Sequence, residues 1–157
     1  MTESTPRRPF RGWRHILVPV RGGADAFEKV ELALAIARGT GAGVTALNVI
    51  DERVIADPDA GLVRESLSDQ LEAAGKTLLA EIAQLGAQPA LATRLERGPV
   101  VETILKIADE IGADAIVVGS HKQTWLGRLL GGSLAETLLR SAKCAVLAVP
   151  PAGEVSE

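Results

Sequence analysis

The chain has 157 residues, a length typical of one domain and sufficient to bury a core. Apolar residues make up 46% and charged residues 24%, as in globular proteins and unlike disordered chains. The net charge of −3 excludes the strongly basic surface of most nucleic-acid-binding proteins, so we do not expect nucleic acid as a partner. No apolar run is long enough to cross a bilayer, so we do not expect a membrane as a partner either. The single cysteine, Cys144, excludes an intrachain disulfide and fits a reducing, cytoplasmic setting.

Five short apolar segments alternate with helical patterns along the chain. The predicted strands cover residues 16–20, 44–50, 90–96, 115–118 and 145–149. Strict alternation of strand and helix predicts an α/β fold with parallel strands joined by right-handed crossovers. We expect one domain over residues 14–150, preceded by a flexible basic tail (1–13) and followed by a flexible C-terminal tail (151–157).

Two of the predicted helices start with the spacing of a capping box. Glu28 follows Asp25 by three residues and Glu136 follows Ser133 by three, so Asp25 and Ser133 are predicted N-caps. In the second predicted helix, apolar residues recur at helical spacing and are expected to face the core. That stripe consists of Leu67, Leu71, Ala74, Leu78, Ile82 and Leu85.

Three glycine-bearing turns form the predicted ligand site. In an open parallel sheet, ligands bind beyond the carboxyl ends of the strands, where the strand order reverses. If the first and fourth strands are neighbours, turns 21–23, 119–122 and 131–133 converge on one crevice. The helix that begins after turn 131–133 then offers its N-terminal N–H groups to an anion. The predicted nucleotide- or anion-binding residues are Pro19, Val20, Arg21, Gly22, Val49, Gly119, Ser120, His121, Lys122, Gly131, Gly132 and Ser133.

The sequence assigns no catalytic residue and no metal ligand. No serine or cysteine nucleophile with a partner acid can be matched to His121 by spacing, so we interpret it as a loop histidine near the ligand. The two histidines and one cysteine lie far apart in sequence, which is not the spacing of a metal site.

Several segments together resemble the universal stress protein family. They are residues 118–122, 129–133 and 144–150, with the opening strand 16–20 and residues 47–51, and the resemblance covers about residues 14–150. It implies five parallel strands in the order 3-2-1-4-5 and a homodimer paired through the last strand. The interface that the resemblance implies consists of Ala145, Val146, Leu147, Ala148 and Val149.

Nucleotide-binding members of that family share a Gly-x2-Gly-x9-Gly-(Ser/Thr) motif that holds ATP phosphates. Gly119, Gly132 and Ser133 match this motif, but Lys122 stands at its second glycine, and Arg21 stands where these members carry an acidic residue. A β-carbon at position 122 opposes ATP in the usual pose, whereas the two cations favour an anion. The resemblance therefore implies a non-catalytic, regulatory stress-response protein with a nucleotide- or anion-accepting crevice, which is not expected to bind ATP tightly. No cofactor is certain, and ATP and AMP are the candidate ligands.

Other function classes remain open from the sequence. One is an ATP- or AMP-binding member of the family with weak ATP hydrolysis. Another is an ATP-pyrophosphatase-type enzyme, whose Ser-Gly-Gly-x-Asp-Ser loop is matched by residues 21–26 only at the glycines and the aspartate. A third is an interaction module with a vestigial crevice, and no regulatory partner can be named.

Overall fold

A computed structural model describes residues 12–51, 53, 61–86, 90–120 and 133–150. In these ranges five strands alternate with four helices. The strands are β1 His15–Pro19, β2 Gly43–Ile50, β3 Leu91–Arg97, β4 Ala115–Gly119 and β5 Ala145–Val149. The helices are α1 Ala24–Thr40, α2 Gly61–Ala83, α3 Val100–Ile111 and α4 Leu134–Ser141.

The five strands form one parallel sheet in the order β3-β2-β1-β4-β5. This confirms the predicted fold class, including the strand order that the family resemblance implied. The central strand β1 is buried on both faces because its side chains alternate between two cores. Ile16 and Val18 pack with α1 and α2 on one face, and Leu17 packs with α3 and α4 on the other.

The position of the helices creates a crevice between β1 and β4. Helix α1 follows β1 onto one face of the sheet, and α4 follows β4 onto the other face. The connections therefore diverge at the carboxyl ends of these two neighbouring strands. This is the switch point at which open parallel sheets bind ligands.

The predicted N-cap of α1 was wrong, and that of α4 is confirmed. Gly23 caps α1 with a φ of 117°, and Asp25 lies inside the first turn. The glycine conformation lets the chain enter the helix earlier than the capping-box spacing indicates, while the carboxylate of Asp25 still favours the helix N-terminus electrostatically. In α4, the hydroxyl of Ser133 accepts a hydrogen bond from the Glu136 N–H at 3.2 Å.

The predicted apolar stripe of α2 is buried only in its C-terminal half. Leu78 and Ile82 lie in the core, whereas Leu67 and Leu71 are 41% and 43% exposed. Gly75 packs against Asn48 near the end of β2. At a rise of about 1.5 Å per residue, the earlier turns of α2 extend past the end of that strand and lose the sheet beneath them.

The two edge strands differ in charge. On β3, Arg94 bonds both Glu96 and Glu110, and Arg97 pairs with Glu72 of α2. Strand β5 has the sequence Ala-Val-Leu-Ala-Val and carries no charge. Charged side chains discourage pairing with another strand, so β3 is protected in this way and β5 is not.

Candidate functional site

A cleft of about 430 Å³ opens at the carboxyl ends of the central strands. Its walls are continued by the first turns of α1, the middle of α2 and the start of α3. Among the predicted site residues, those that line this cleft are Pro19, Val20, Arg21, Gly22, Val49 and Gly119. The turn after β1 and Gly119 at the end of β4 therefore border the same cavity.

Two predicted site residues lie beside the cleft and do not line it. The Ser120 N–H donates to the Val149 carbonyl at 2.9 Å and so continues the pairing of β4 with β5. The side chain of Ser133 is buried and engaged as the N-cap of α4, and its neighbour Leu134 reaches the cleft. Predictions for His121, Lys122, Gly131 and Gly132 lie outside the described residues.

Lys29 is a cleft-lining cation that the sequence analysis missed. Its Nζ donates to the Pro19 carbonyl at 3.4 Å and lies 4.0 Å from the position that a β-carbon on Gly119 would occupy. The ammonium group thus lies between the ends of β1 and β4. Burial lowers the pKa of Lys29, the charge of Asp25 opposes this effect, and the charge of Arg21 adds to it. The sequence signal was the one-turn spacing from Asp25, which places Lys29 near the turn after β1.

Asn48 fixes the turn that follows β1. Its side chain is 9% exposed, and its Nδ2 donates to the Val20 carbonyl at 3.0 Å. The Val20 N–H in turn donates to the Leu47 carbonyl at 2.8 Å. Both backbone hydrogen-bonding groups of Val20 are therefore satisfied by β2, which holds this part of the cleft wall in place.

The carboxylate of Asp51 at the end of β2 is engaged by structural contacts. It accepts hydrogen bonds from the Arg53 backbone N–H at 3.0 Å and from the Arg53 guanidinium at 3.0 and 2.9 Å. The side-chain bond from Arg53 is the main cause of the lowered pKa of Asp51, burial opposes it, and the Val100 N–H at the start of α3 contributes.

The cleft combines apolar walls with charge of both signs. Arg21 and Lys29 supply cations, and Asp25 and Glu28 line the α1 side. Burial lowers the pKa of Arg21, but a guanidinium stays protonated at neutral pH. The apolar wall includes Leu71, Leu78, Val100, Ile104, Val118 and Leu134. Such a cavity suits a ligand with an apolar or aromatic body and an anionic group.

Metal-binding and thiol chemistry are not supported in the part of the chain that the structure describes. There, no cluster of three or more His, Cys, Asp or Glu side chains could hold a metal ion. Cys144 is half-buried, and burial raises the pKa of its thiol, which disfavours the reactive thiolate. Over the same described ranges, no helix is both long and apolar enough to cross a membrane.

A sequence model described as the universal stress protein family matches residues 12–150. The chain belongs to the universal stress protein family. A universal stress protein of Methanocaldococcus jannaschii is 29% identical over 143 residues, with 87% of this chain and 82% of that protein covered. The structure of the universal stress protein UspA from Lactobacillus plantarum superposes with a TM-score of 0.75 at 27% identity, covering 88% of this chain and 98% of that one.

Two more distant universal stress proteins of the same fold were crystallised with nucleotides. One, in complex with cAMP, has a TM-score of 0.63 at 24% identity and covers 88% of this chain and 98% of its own. The other, from Archaeoglobus fulgidus in complex with dAMP, has a TM-score of 0.55 at 21% identity and covers 86% of this chain and 96% of its own. At these identities the comparison shows the shared fold.

Gly119, the first motif glycine of this universal stress protein, suits the close approach of a ligand. A β-carbon placed there would meet no atom nearer than Lys29 Nζ at 4.0 Å. The carboxyl end of β4 is therefore open on the cleft side among the described residues. Arg21 lines the same cleft.

Proposed function

We propose that this universal stress protein is a non-catalytic regulatory protein whose cleft accepts a nucleotide or a similar organic anion. The observation that carries the proposal is that both Arg21 and Lys29 line a cavity of about 430 Å³ with apolar walls. An adenine ring gains by leaving water for apolar walls, and a phosphate gains from charged donors.

We expect a compact nucleotide to bind more tightly than ATP, because ATP is not expected to fit here in the pose usual for the family. Lys122 replaces a motif glycine, and Arg21 replaces the acid that accepts nucleoside hydroxyl or base groups. Proteins of this fold that were crystallised with cAMP and dAMP support a monophosphate-sized ligand. A second candidate function is ATP or AMP binding with weak ATP hydrolysis, favoured by the motif matches at Gly119 and Ser133.

We also propose that the protein acts in the cytoplasm as a homodimer paired through β5. An uncharged edge strand with exposed Ala145 and Ala148 supports pairing between two copies of the chain. A lone half-buried cysteine fits a reducing compartment. The regulatory partner of the dimer is not identified by this proposal.

The experiment that tests the ligand proposal combines extraction with thermal unfolding. Protein purified without added nucleotide is denatured, and the released small molecules are identified by chromatography and mass spectrometry. The unfolding midpoint is then measured with AMP, ATP, adenosine or inorganic phosphate. A ligand at one hundred times its Kd stabilises by about 2.7 kcal/mol, which is readily measured. Co-purified nucleotide or a midpoint raised by AMP supports the proposal, and no response to any of the four contradicts it.

The non-catalytic character has its own test. Phosphate release from ATP is followed with the purified protein over hours, with heat-denatured protein as the control. We expect release no faster than in the control. Sustained release that scales with protein concentration would instead support the second candidate function.

A further inference from the structure

We propose that Lys29 is a specificity-determining residue of the cleft, whose ammonium group pairs with the phosphate of the ligand beside Gly119. The residue thereby selects a phosphate monoester over the uncharged nucleoside. This inference rests on the proposed function, because it concerns the same cavity. It goes further by assigning ligand selection to a side chain outside the family's glycine motif.

The first argument is the location of the ammonium group. Nζ of Lys29 lies 3.4 Å from the Pro19 carbonyl at the end of β1 and faces Gly119 at the end of β4. These are the two strands between which the helical connections diverge. A ligand group that enters the switch point at Gly119 therefore meets Lys29 directly.

The second argument is that the hydrogen-bonding capacity of this group is poorly used. An ammonium group has three N–H donors, and the hydrogen bond found for Lys29 within the described ranges is the long one to Pro19. Removing a cation from water is costly unless it is paired. An anion placed beside Gly119 would give the Lys29 ammonium group hydrogen-bond acceptors and an opposite charge, which offset its desolvation.

The third argument concerns the neighbouring charges. Asp25 lies one turn before Lys29 on α1 and stabilises its charged form, whereas the nearby Arg21 disfavours it. Glu28 lines the same wall. A phosphate that approaches from the Arg21 side reduces the repulsion between the two cations, so both gain from the same ligand group.

The same geometry also supports an opposing interpretation. In that interpretation Lys29 is a plug, whose side chain fills the space at Gly119 and whose charge is held by the Pro19 carbonyl. Removing the ammonium group would then improve the binding of any ligand, charged or neutral. The two interpretations predict opposite changes in AMP affinity when the ammonium group is removed, so one set of variants separates them.

The test uses calorimetric titration of the full chain with AMP and with adenosine, in low salt and at physiological ionic strength. Lys29→Met removes the charge at nearly constant volume, Lys29→Gln is a second neutral variant, and Lys29→Arg retains the charge. Lys106→Met is the matched control, because Lys106 is exposed on α3 and does not line the cleft. Circular dichroism and the unfolding midpoint establish that each variant is folded.

We expect the Kd for AMP to rise about tenfold or more in the neutral variants, because a charged hydrogen bond is lost. The Kd for adenosine should change less than about twofold, and Lys29→Arg and Lys106→Met should bind AMP within about threefold of the parent protein. The preference for AMP over adenosine should weaken as salt screens the charge.

Three results would overturn the inference. If the parent protein binds AMP and the neutral variants bind it equally well, Lys29 does not select the ligand. The proposed function is unaffected by that result. Tighter binding of both ligands in those variants shows that Lys29 is a plug. If the parent protein binds neither AMP nor adenosine, the inference fails, and the proposed function fails with it only if ATP and inorganic phosphate also give no response.

Discussion

A β-carbon on Gly75 would lie 2.6 Å from the side-chain oxygen of Asn48. Asn48 cannot easily move away, because it is buried and its amide group donates to the Val20 carbonyl at 3.0 Å. Helix α2 therefore packs on β2 at a distance that requires glycine at position 75. The same contact supports the turn after β1 and hence one wall of the cleft.

Replacing Gly75 with alanine should destabilise the protein. In a helix interior alanine is favoured over glycine by about 1 kcal/mol, but overpacking a well-packed site costs about 1–3 kcal/mol. We expect a net loss of up to about 2 kcal/mol, measured by urea unfolding. Gly39→Ala on α1 is the matched control, because no atom lies within 4 Å of its β-carbon position and a gain is expected. A gain at both positions would contradict the close contact with Asn48.

Asp51→Ala should lower stability by about 0.5–1.5 kcal/mol at neutral pH, because the backbone N–H and the guanidinium of Arg53 lose their acceptor. The folded-state pKa of Asp51 is below the ordinary value of 3.8. The ionised carboxylate therefore contributes to folding stability above pH 3.8, and this contribution is lost as the pH falls through the folded-state pKa. The stability difference between the parent protein and the variant should therefore shrink below about pH 4. Asp51→Asn, which retains one acceptor oxygen, should give an intermediate loss. A difference that stays constant down to pH 3 would show that the charge has no role.

His15 should make the protein less stable as the pH falls below neutrality. Burial lowers its pKa from 6.5, and the charge of Asp114 opposes this only in part. The unfolded chain therefore takes up a proton first, and stability is lost from about pH 7 downward until the folded-state pKa is passed. His15→Gln can keep a hydrogen bond to Thr45, whose Oγ1 lies 2.7 Å from the histidine Nε2, without titrating. As the pH is lowered from 8 to 5, the free energy of unfolding should fall more steeply in the parent protein than in His15→Gln. Parallel curves for the two proteins would contradict this prediction.

Ala148→Lys should weaken the proposed dimer. Ala148 is exposed on the uncharged edge strand β5, and a lysine there would place like charges close together across a pair of β5 strands. We expect light scattering after size exclusion to show a shift from dimer to monomer, while circular dichroism stays unchanged. Ala92→Lys is the matched control on the opposite edge strand β3, where Ala92 is also exposed. Loss of the dimer in the control variant, or its persistence in Ala148→Lys, would argue against pairing through β5.

Combining Arg21→Asp with Lys122→Gly should strengthen ATP binding, because the pair restores the acid and the second glycine of the family motif. Removing a steric conflict at position 122 and adding an acceptor for the nucleoside at position 21 each contribute on the order of 1 kcal/mol, which together correspond to about tenfold or more in Kd. We expect this gain to exceed the loss of the Arg21 charge, because Lys29 still pairs with the phosphates. Calorimetry with ATP checks the double variant, and the two single variants show how each position contributes. Unchanged or weaker affinity in the double variant would refute this explanation of positions 21 and 122.

The fold could be predicted from the sequence because local patterns and the family resemblance agree on it. Apolar strands alternate with helices, and their alternation permits few topologies. The predicted N-cap at Ser133 is confirmed, whereas the one at Asp25 was wrong because Gly23 allows an earlier start of α1. The stripe on α2 was only half buried, because periodicity identifies a helical face and does not show how far the sheet extends beneath it.

The sequence by itself determined a parallel α/β domain of the universal stress protein family and placed glycine-bearing turns at the ends of its strands. Only the tertiary structure decided that Lys29 lies between β1 and β4, that Gly75 must accommodate Asn48 and that Asn48 holds the Val20 carbonyl. Hydrophobic periodicity is a local property and can be read along the chain. The partners of polar side chains depend on distances between elements that are far apart in sequence, and these distances are set only when the helices pack on the sheet.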